Sequence, residues 1–427
     1  MKNKKVSSGK WKKVLSVVIF VGLLIGILCL LIPVFERKHS KEKLADFFSQ
    51  EEDFDVLFFG SSHTMNAIYP MELWNKYGIV SYNLGNSGEL LPLTYWNLRL
   101  ATKYHKPKLA VVDVYGVVKT MNGMNTTDKQ LGAIHDALDA YPISWLKSEA
   151  IADIFREKNS LKMQINFLFN FSTYHGRWEE LTRDDFSPNN NVEKGANARI
   201  NVTSSTSRVD YKKAPVNNIT GYESERYLRK IIAYCKEQGI QILLTMFPYG
   251  PTTDERVGHA KYYEKLAADE GVDYLNFLAM DPLENQWTDY YDAGHLNPSG
   301  AKKISEYVGK YIMKNYEIPN RKNDENYAEW IGDYNRYVDF KISLLRNNEK
   351  KRENFLMLLA KDEDIYYEVT VNNNYKPSQY PSINLLLSNL DKKYIVDKSA
   401  FSGHQENVVK IVTYDKRNNK KINEVYF

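Results

Sequence analysis

Cysteine is scarce. The 427 residues hold only Cys29 and Cys235, and Cys29 lies inside an uninterrupted apolar run, which leaves Cys235 without a partner and excludes a disulfide framework. Ligand-spaced histidines are missing as well: the eight His are scattered, so no metal site is expected. Excess charge of one sign is also absent. With 57 Lys+Arg against 53 Asp+Glu, the chain is not built to neutralise nucleic-acid phosphates, and no nucleic-acid partner is expected. At 43% apolar residues and 31 Tyr it has ample material for a buried core, and its length suggests two or three domains.

What basic excess exists is local. Residues 1–13 carry Lys2, Lys4, Lys5, Lys10, Lys12 and Lys13 and no acid, so the body that follows is mildly acidic. Val14 to Phe35 then runs without a charge. As a helix rising 1.5 Å per residue it spans about 33 Å, enough to cross a bilayer. The positive-inside bias places residues 1–13 in the cytoplasm and everything after Glu36 outside, as an extracytoplasmic body on a single-pass cell-membrane anchor. A cleaved signal peptide is the competing reading, but no small-x-small cleavage site follows the apolar run.

The body, 36–318, reads as an α/β domain. Short continuous apolar runs at Val56 to Phe59, Leu109 to Val112 and Ile240 to Phe247 suit strands of a fully buried parallel sheet, and Val272 to Phe277 reads as a further strand. Helical spacing separates them, from Glu223 to Gln238 and from Glu255 to Glu270. An insertion from about 120 to 220 interrupts the pattern. Its first half has helix-like spacing, and its second half, Ser187 to Asn218, is polar and expected to be a mobile surface loop. Asn297 as N-cap and Pro298 at the first helical position open a last helix with an Ala301, Ile304, Val308, Ile312 stripe. Beyond a charged linker, Pro319 to Asn326, residues 327–427 read as a small α+β module with no recognisable chemistry.

Three pieces could carry chemistry. Gly60-Ser61-Ser62-His63 follows the first strand, where a tight turn exposes a serine hydroxyl beside backbone N–H groups; a plain turn with capping serines is the alternative. Asn83-Leu84-Gly85-Asn86-Ser87-Gly88 places glycines where backbone can approach a ligand, although turns use glycine anyway. In Asp292-Ala293-Gly294-His295 the carboxylate can hold the imidazole's tautomer, while its other nitrogen faces a nucleophile. All three fall at strand C-terminal ends, where open α/β sheets build their sites.

Together these blocks resemble the SGNH, or GDSL-like, hydrolase superfamily over Phe54 to Tyr311, with the insertion interrupting. The resemblance implies an SGNH-type three-layer fold. It implies Ser62 as nucleophile, Asp292 and His295 as its partners, and an oxyanion hole from the N–H groups of Ser62 and Gly88. No cofactor is needed for that chemistry. Two positions depart from the family. Ser61 stands where Asp is usual, and Val117 falls where an Asn would complete the oxyanion hole, with Asn122 or Asn125 as candidate substitutes. The anchor-plus-body plan is similar to the membrane-anchored type exemplified by the D-alanyl-lipoteichoic acid biosynthesis protein. That similarity implies a serine-dependent acyl esterase or acyltransferase on an envelope glycan or teichoic-acid-like polymer, with a multi-pass membrane acyltransferase as partner. A non-catalytic SGNH-fold partner or glycan-binding module is the alternative. Candidate substrate-binding residues are His63 and Asn86 near the nucleophile, Asp113 and Tyr115 after the second apolar run, and His175, Arg177 and Trp178 in the insertion, the last three also readable as a local packing cluster.

Overall fold

The computed structural model describes residues 8–35, 38–121, 128–156, 161–168, 175–186, 191–203, 209–250, 252–280, 283, 287–390 and 394–427. Asn122, Asn125, Tyr174 and parts of the polar half of the insertion therefore lie outside the described residues.

Five strands, β1 (Val56–Phe59), β2 (Ser81–Asn83), β3 (Leu109–Asp113), β4 (Gln241–Met246) and β5 (Asp273–Asn276), form one sheet in the order β2-β1-β3-β4-β5. Every pairing is parallel. Both faces are covered, so both alternating side-chain sets are apolar. Leu57, Phe59, Ala110, Val112, Ile242 and Leu244 face one layer, which includes the Leu91–Ala101 and Glu223–Gln238 helices. Val56, Phe58, Leu109, Val111 and Leu243 face the other, where the Pro298–Asn315 helix delivers Ile304, Val308 and Ile312. This is a three-layer α/β fold. The chain leaves β1 toward β2 on one side and crosses to β3 on the other, so the C-terminal ends of β1 and β3 flank the switch point at which such sheets bind ligands.

Expectation and structure differ in two places. β2 was not expected, because Ser81-Tyr82-Asn83 is short and half polar. Its Asn83 spends its amide on the carbonyls of Thr64 and Ile68. Part of the expected mobile loop is instead a buried strap: Asn83 donates its N–H to the Lys194 carbonyl, and Asn197 donates to that of Met65. Gly195, at φ +85°, lies so close to Asn83 that a Cβ would fall 2.0 Å from its carbonyl oxygen. The linker is likewise fixed. Arg321 forks onto the buried Asp55, Nε to Oδ2 at 3.0 Å and Nη2 to Oδ1 at 3.1 Å.

The Glu329–Asn348 helix then joins the two halves. Trp330 and Tyr337 enter the main core, while Val338, Ile342 and Leu345 enter a second core. That core backs a mixed sheet of order β7-β6-β8-β9, built from β6 (Ile365–Val371), β7 (Ile395–Val396), β8 (Val409–Asp415) and β9 (Lys420–Tyr426). At the other end, the Ser8–Phe35 helix carries an apolar window, Trp11–Leu28, long enough to cross a membrane and wholly uncovered by protein.

Candidate active site

The site begins where β1 ends. Gly60 sits at φ +142°, and a Cβ there would come within 2.5 Å of Thr64 Oγ1 and 2.7 Å of Asp113 Cβ, so only glycine permits this turn. Ser61 caps the short helix Ser62–Ala67, its hydroxyl accepting from the His63 N–H at 3.2 Å. That leaves Ser62 at the first helical position with its own hydroxyl free for chemistry.

The second half comes from the turn before the Pro298–Asn315 helix. Its base is closed by a bridge between Tyr290 and Leu296 and by the Tyr291 N–H on the His295 carbonyl at 2.8 Å. Asn297 caps the helix through Oδ1, and its amide nitrogen reaches the carbonyls of Thr288 and Asn201. Within the turn, Asp292 Oδ1 accepts from the Gly294 N–H at 2.7 Å and the His295 N–H at 2.9 Å. The imidazole Nδ1 lies 2.9 Å from Oδ1 and 3.0 Å from Oδ2 of the same carboxylate. Nδ1 therefore carries a proton and donates it to Asp292, which leaves Nε2 as an acceptor. The Ser62 hydroxyl points at that acceptor, Oγ to Nε2 at 2.9 Å, across 233 residues of sequence. Burial pushes Asp292 upward, but the Gly294 N–H and the imidazole outweigh it and hold the carboxyl below its usual value.

A layer of rings backs the pair. His63, buried, stacks on His295 with ring centroids 5.1 Å apart and meets Tyr115 and Tyr249 at a tilt, at 3.7 Å and 5.3 Å. Desolvation, the neighbouring His295 and Arg256 together hold His63 well below the usual histidine range, so it stands neutral. Arg256 closes the layer, its guanidinium 4.6 Å from the Tyr115 ring and 4.1 Å from the Tyr249 ring. Neither Tyr249 nor Arg256 was expected from the sequence. Both follow the C-terminal end of β4, and the rule that drew attention to the turns after β1 and β3 applies equally there.

Other expected residues are placed differently. Asn86 is spent on the loop itself, its N–H on the Gly60 carbonyl at 3.0 Å and its amide on Glu89 at 2.7 Å. Asp113 lies beneath the site, buried, with Oδ1 accepting from the Phe247 N–H at 3.2 Å; burial pushes its carboxyl up to about 7. Gly88, at φ +65°, lies beside Ala133, whereas the glycine pressed against the nucleophile turn is Gly85, where a Cβ would stand 2.9 Å from Met65 N and Ser61 O. Val117 is half-buried against the core and offers no side-chain donor. The segment holding His175, Arg177 and Trp178 is a 3-10 turn, His175–Glu179, at the foot of the apolar helix, with Arg177 Nη1 on the Phe35 carbonyl and Trp178 exposed. Among the described residues no cluster of His, Cys, Asp or Glu could hold a metal ion.

Among solved structures the chain is similar to a protein from Desulfitobacterium hafniense described as a lipolytic protein of the G-D-S-L family. Identity is 11% and the TM-score 0.30, over 60% of this chain and 97% of that one. It is also similar to a protein from Bacteroides fragilis described as an acylhydrolase, at 10% identity and a TM-score of 0.34, over 65% of this chain and 99% of that one. No family model matches the sequence, and no curated protein matches it.

Proposed function

We propose that this chain is a membrane-anchored serine acyl-transfer enzyme of the SGNH type, its body on the outer side of the membrane and its substrate an acyl ester carried by an envelope glycan. The observation that carries the chemistry is the Ser62 Oγ to His295 Nε2 hydrogen bond of 2.9 Å with Asp292 on the far nitrogen. Ser62 Oγ bonds to the acyl carbonyl carbon as its proton passes to Nε2, and Asp292 stabilises the imidazolium. The tetrahedral intermediate then expels the alcohol, which takes the proton from Nε2, and the acyl group stays on Ser62. Water, or a hydroxyl of a second glycan, gives its proton to Nε2 and attacks that ester in turn, and the second intermediate expels Ser62 Oγ, which takes the proton back from Nε2 and frees the acid or new ester. Backbone N–H groups at the Ser62 turn are suited to receiving the oxyanion.

The external placement is supported by the Lys-rich tail preceding an apolar helix whose Trp11–Leu28 window is uncovered by the described residues. A fluorophosphonate probe tests the chemistry on the full chain in detergent. Labelling of wild type that disappears in Ser62→Ala supports the enzyme, whereas a silent wild type with retained glycan binding supports a non-catalytic module. Protease added to intact protoplasts tests the placement: the body should be digested and the tail protected, and a body resistant until the membrane is opened overturns it.

A further inference from the structure

Arg256 acts on the buried Asp113 from a distance but makes no salt bridge with it. It lies in the first turn of the Asp254–Glu270 helix, positioned by the Thr253 cap whose hydroxyl accepts its N–H. No acid forms an ion pair with it among the described residues, and its Nη1 is covered yet has no hydrogen-bond partner. Leaving part of a guanidinium desolvated and unpaired costs free energy, and such a group is retained where a ligand completes it. The Tyr115 and Tyr249 rings flank the guanidinium, and Tyr115 also bonds to it through its hydroxyl, so the unpartnered Nη1 is the group left for a carboxylate or phosphate.

Its position ties this cation to the reacting centre. Tyr249 also meets Gly294, between Asp292 and His295: a Cβ on Gly294 would stand 3.3 Å from the Tyr249 ring and 3.8 Å from His63 Cε1. Arg256 is thus one ring layer from His63, which is itself stacked on His295. His63 presents another unsatisfied group in this layer, a buried Nδ1 without a partner. The wall next to the nucleophile is aromatic and cationic, and the buried Asp113 beneath it accepts the Phe247 N–H.

We infer that Arg256 is the anion-recognising residue of this site and that the ester it selects carries a carboxylate or phosphate a few bonds from the scissile carbonyl. The inference rests on the acyl-transfer reading above. The anion could belong to the acyl group or to the alcohol that carries it, and the two sources are separated by choice of ester. On the acyl side, 4-nitrophenyl hemisuccinate is compared with the near-isosteric 4-nitrophenyl butyrate. On the alcohol side, 1-acetylglycerol 3-phosphate is compared with 1-acetylglycerol. The readout is the ratio of kcat/KM, anionic over neutral, in wild type, Arg256→Gln and Arg256→Lys.

For one of the two pairs wild type should favour the anionic ester by roughly 10- to 100-fold, the range expected of a hydrogen bond to a charged group. Arg256→Gln should bring that ratio near one, and Arg256→Lys should restore part of it. No anionic preference in either pair, or a preference that survives Arg256→Gln, overturns the proposal; loss of both activities in equal proportion also overturns it and makes Arg256 structural. Calorimetric binding of the same unreacted esters to the Ser62→Ala chain gives a readout that needs no turnover. Tighter binding of the anionic partner, lost on adding Arg256→Gln, supports the site even where the probe experiment fails, and equal binding overturns it.

Discussion

Lys43, on the Lys38–Ser49 helix that leads off the apolar segment, donates its ammonium to the carbonyl of Gly85, the residue pressed against the nucleophile turn. The helix that follows the apolar segment and the loop behind Ser62 are therefore joined by one buried cation. Burial pushes Lys43 down to about 8, with Glu89 as the opposing influence. Lys43→Met removes the donor and leaves that carbonyl unsatisfied, at a cost of about 1 to 3 kcal/mol. Thermal melts should show the loss, and kcat should fall with it because the loop behind Ser62 loosens. Unchanged stability would mean that water replaces the ammonium.

Several buried acids shape the pH response, Asp113 and Glu89 beside the site and Glu193, which burial pushes up to about 8. Burial pushes both Asp113 and Glu89 up to about 7, Glu89 despite bonds from Asn86, Thr94 and Asn97. A folded value above the unfolded one means stability that is complete below the unfolded value and lost as pH rises through about 7. Lys43 runs the other way: its value is depressed, so its contribution is present above the unfolded value and lost as pH falls through about 8. For Asp113 a shift of this size corresponds to on the order of 4 kcal/mol. Asp113→Asn keeps an acceptor for the Phe247 N–H and cannot ionise. Its melting temperature should fall less than that of wild type between pH 5.5 and pH 8.5, and parallel curves would refute the assignment.

The site was legible in sequence wherever a local backbone requirement fixed the residue type. Gly60 at a positive φ, the Ser61 cap and the Asn297-Pro298 cap each solve a problem confined to a few residues, and each was visible. Glycine spacing was less informative, since Gly85 and Gly88 both suit a turn and only packing shows which one meets the Ser62 helix. Arg256 was invisible for a different reason. Its partners are the ring faces of Tyr115 and Tyr249, brought to it by β3 and β4, and ring stacking leaves no spacing in the chain. The strap at Asn191–Arg199 misled because its polar side chains are satisfied by the body rather than by water: Asn191 bonds to Tyr82, and Lys194 pairs with Asp333.

Arg321 anchors the chain between its two sheets. Asp55, almost wholly buried, is shared by the Arg321 fork and Lys108 at 3.0 Å. Arg321→Ala leaves the carboxylate with one half-exposed lysine, and breaking a buried pair this way costs about 3 to 5 kcal/mol. Urea unfolding should show the loss, and Arg321→Met, which keeps an apolar stem beside Tyr327 but lacks the fork, should show most of it. A loss confined to Arg321→Ala would assign the effect to Arg321 packing on Tyr327 instead.

Asp292 separates the roles within the proposed triad better than its partners do. Ser62→Ala and His295→Ala should each remove nearly all acyl transfer, and the double variant should be scarcely worse, because the members act as one unit. Asp292→Asn is more discriminating. Its Oδ1 can still accept the N–H groups of Gly294 and His295, so the turn should keep its shape and its melting temperature. The new amide replaces the oxygen that lies 3.0 Å from Nδ1 and presents a donor to it. The imidazole then favours the tautomer protonated at Nε2, which faces Ser62 with a hydrogen where the nucleophile needs an acceptor. The expected result is a folded protein whose kcat falls by on the order of 10⁴-fold. Fluorophosphonate labelling should slow in step, since it uses the same base. A variant that labels at the wild-type rate would show that Ser62 is activated by another group, and His63, neutral and stacked on His295, would be the first to replace.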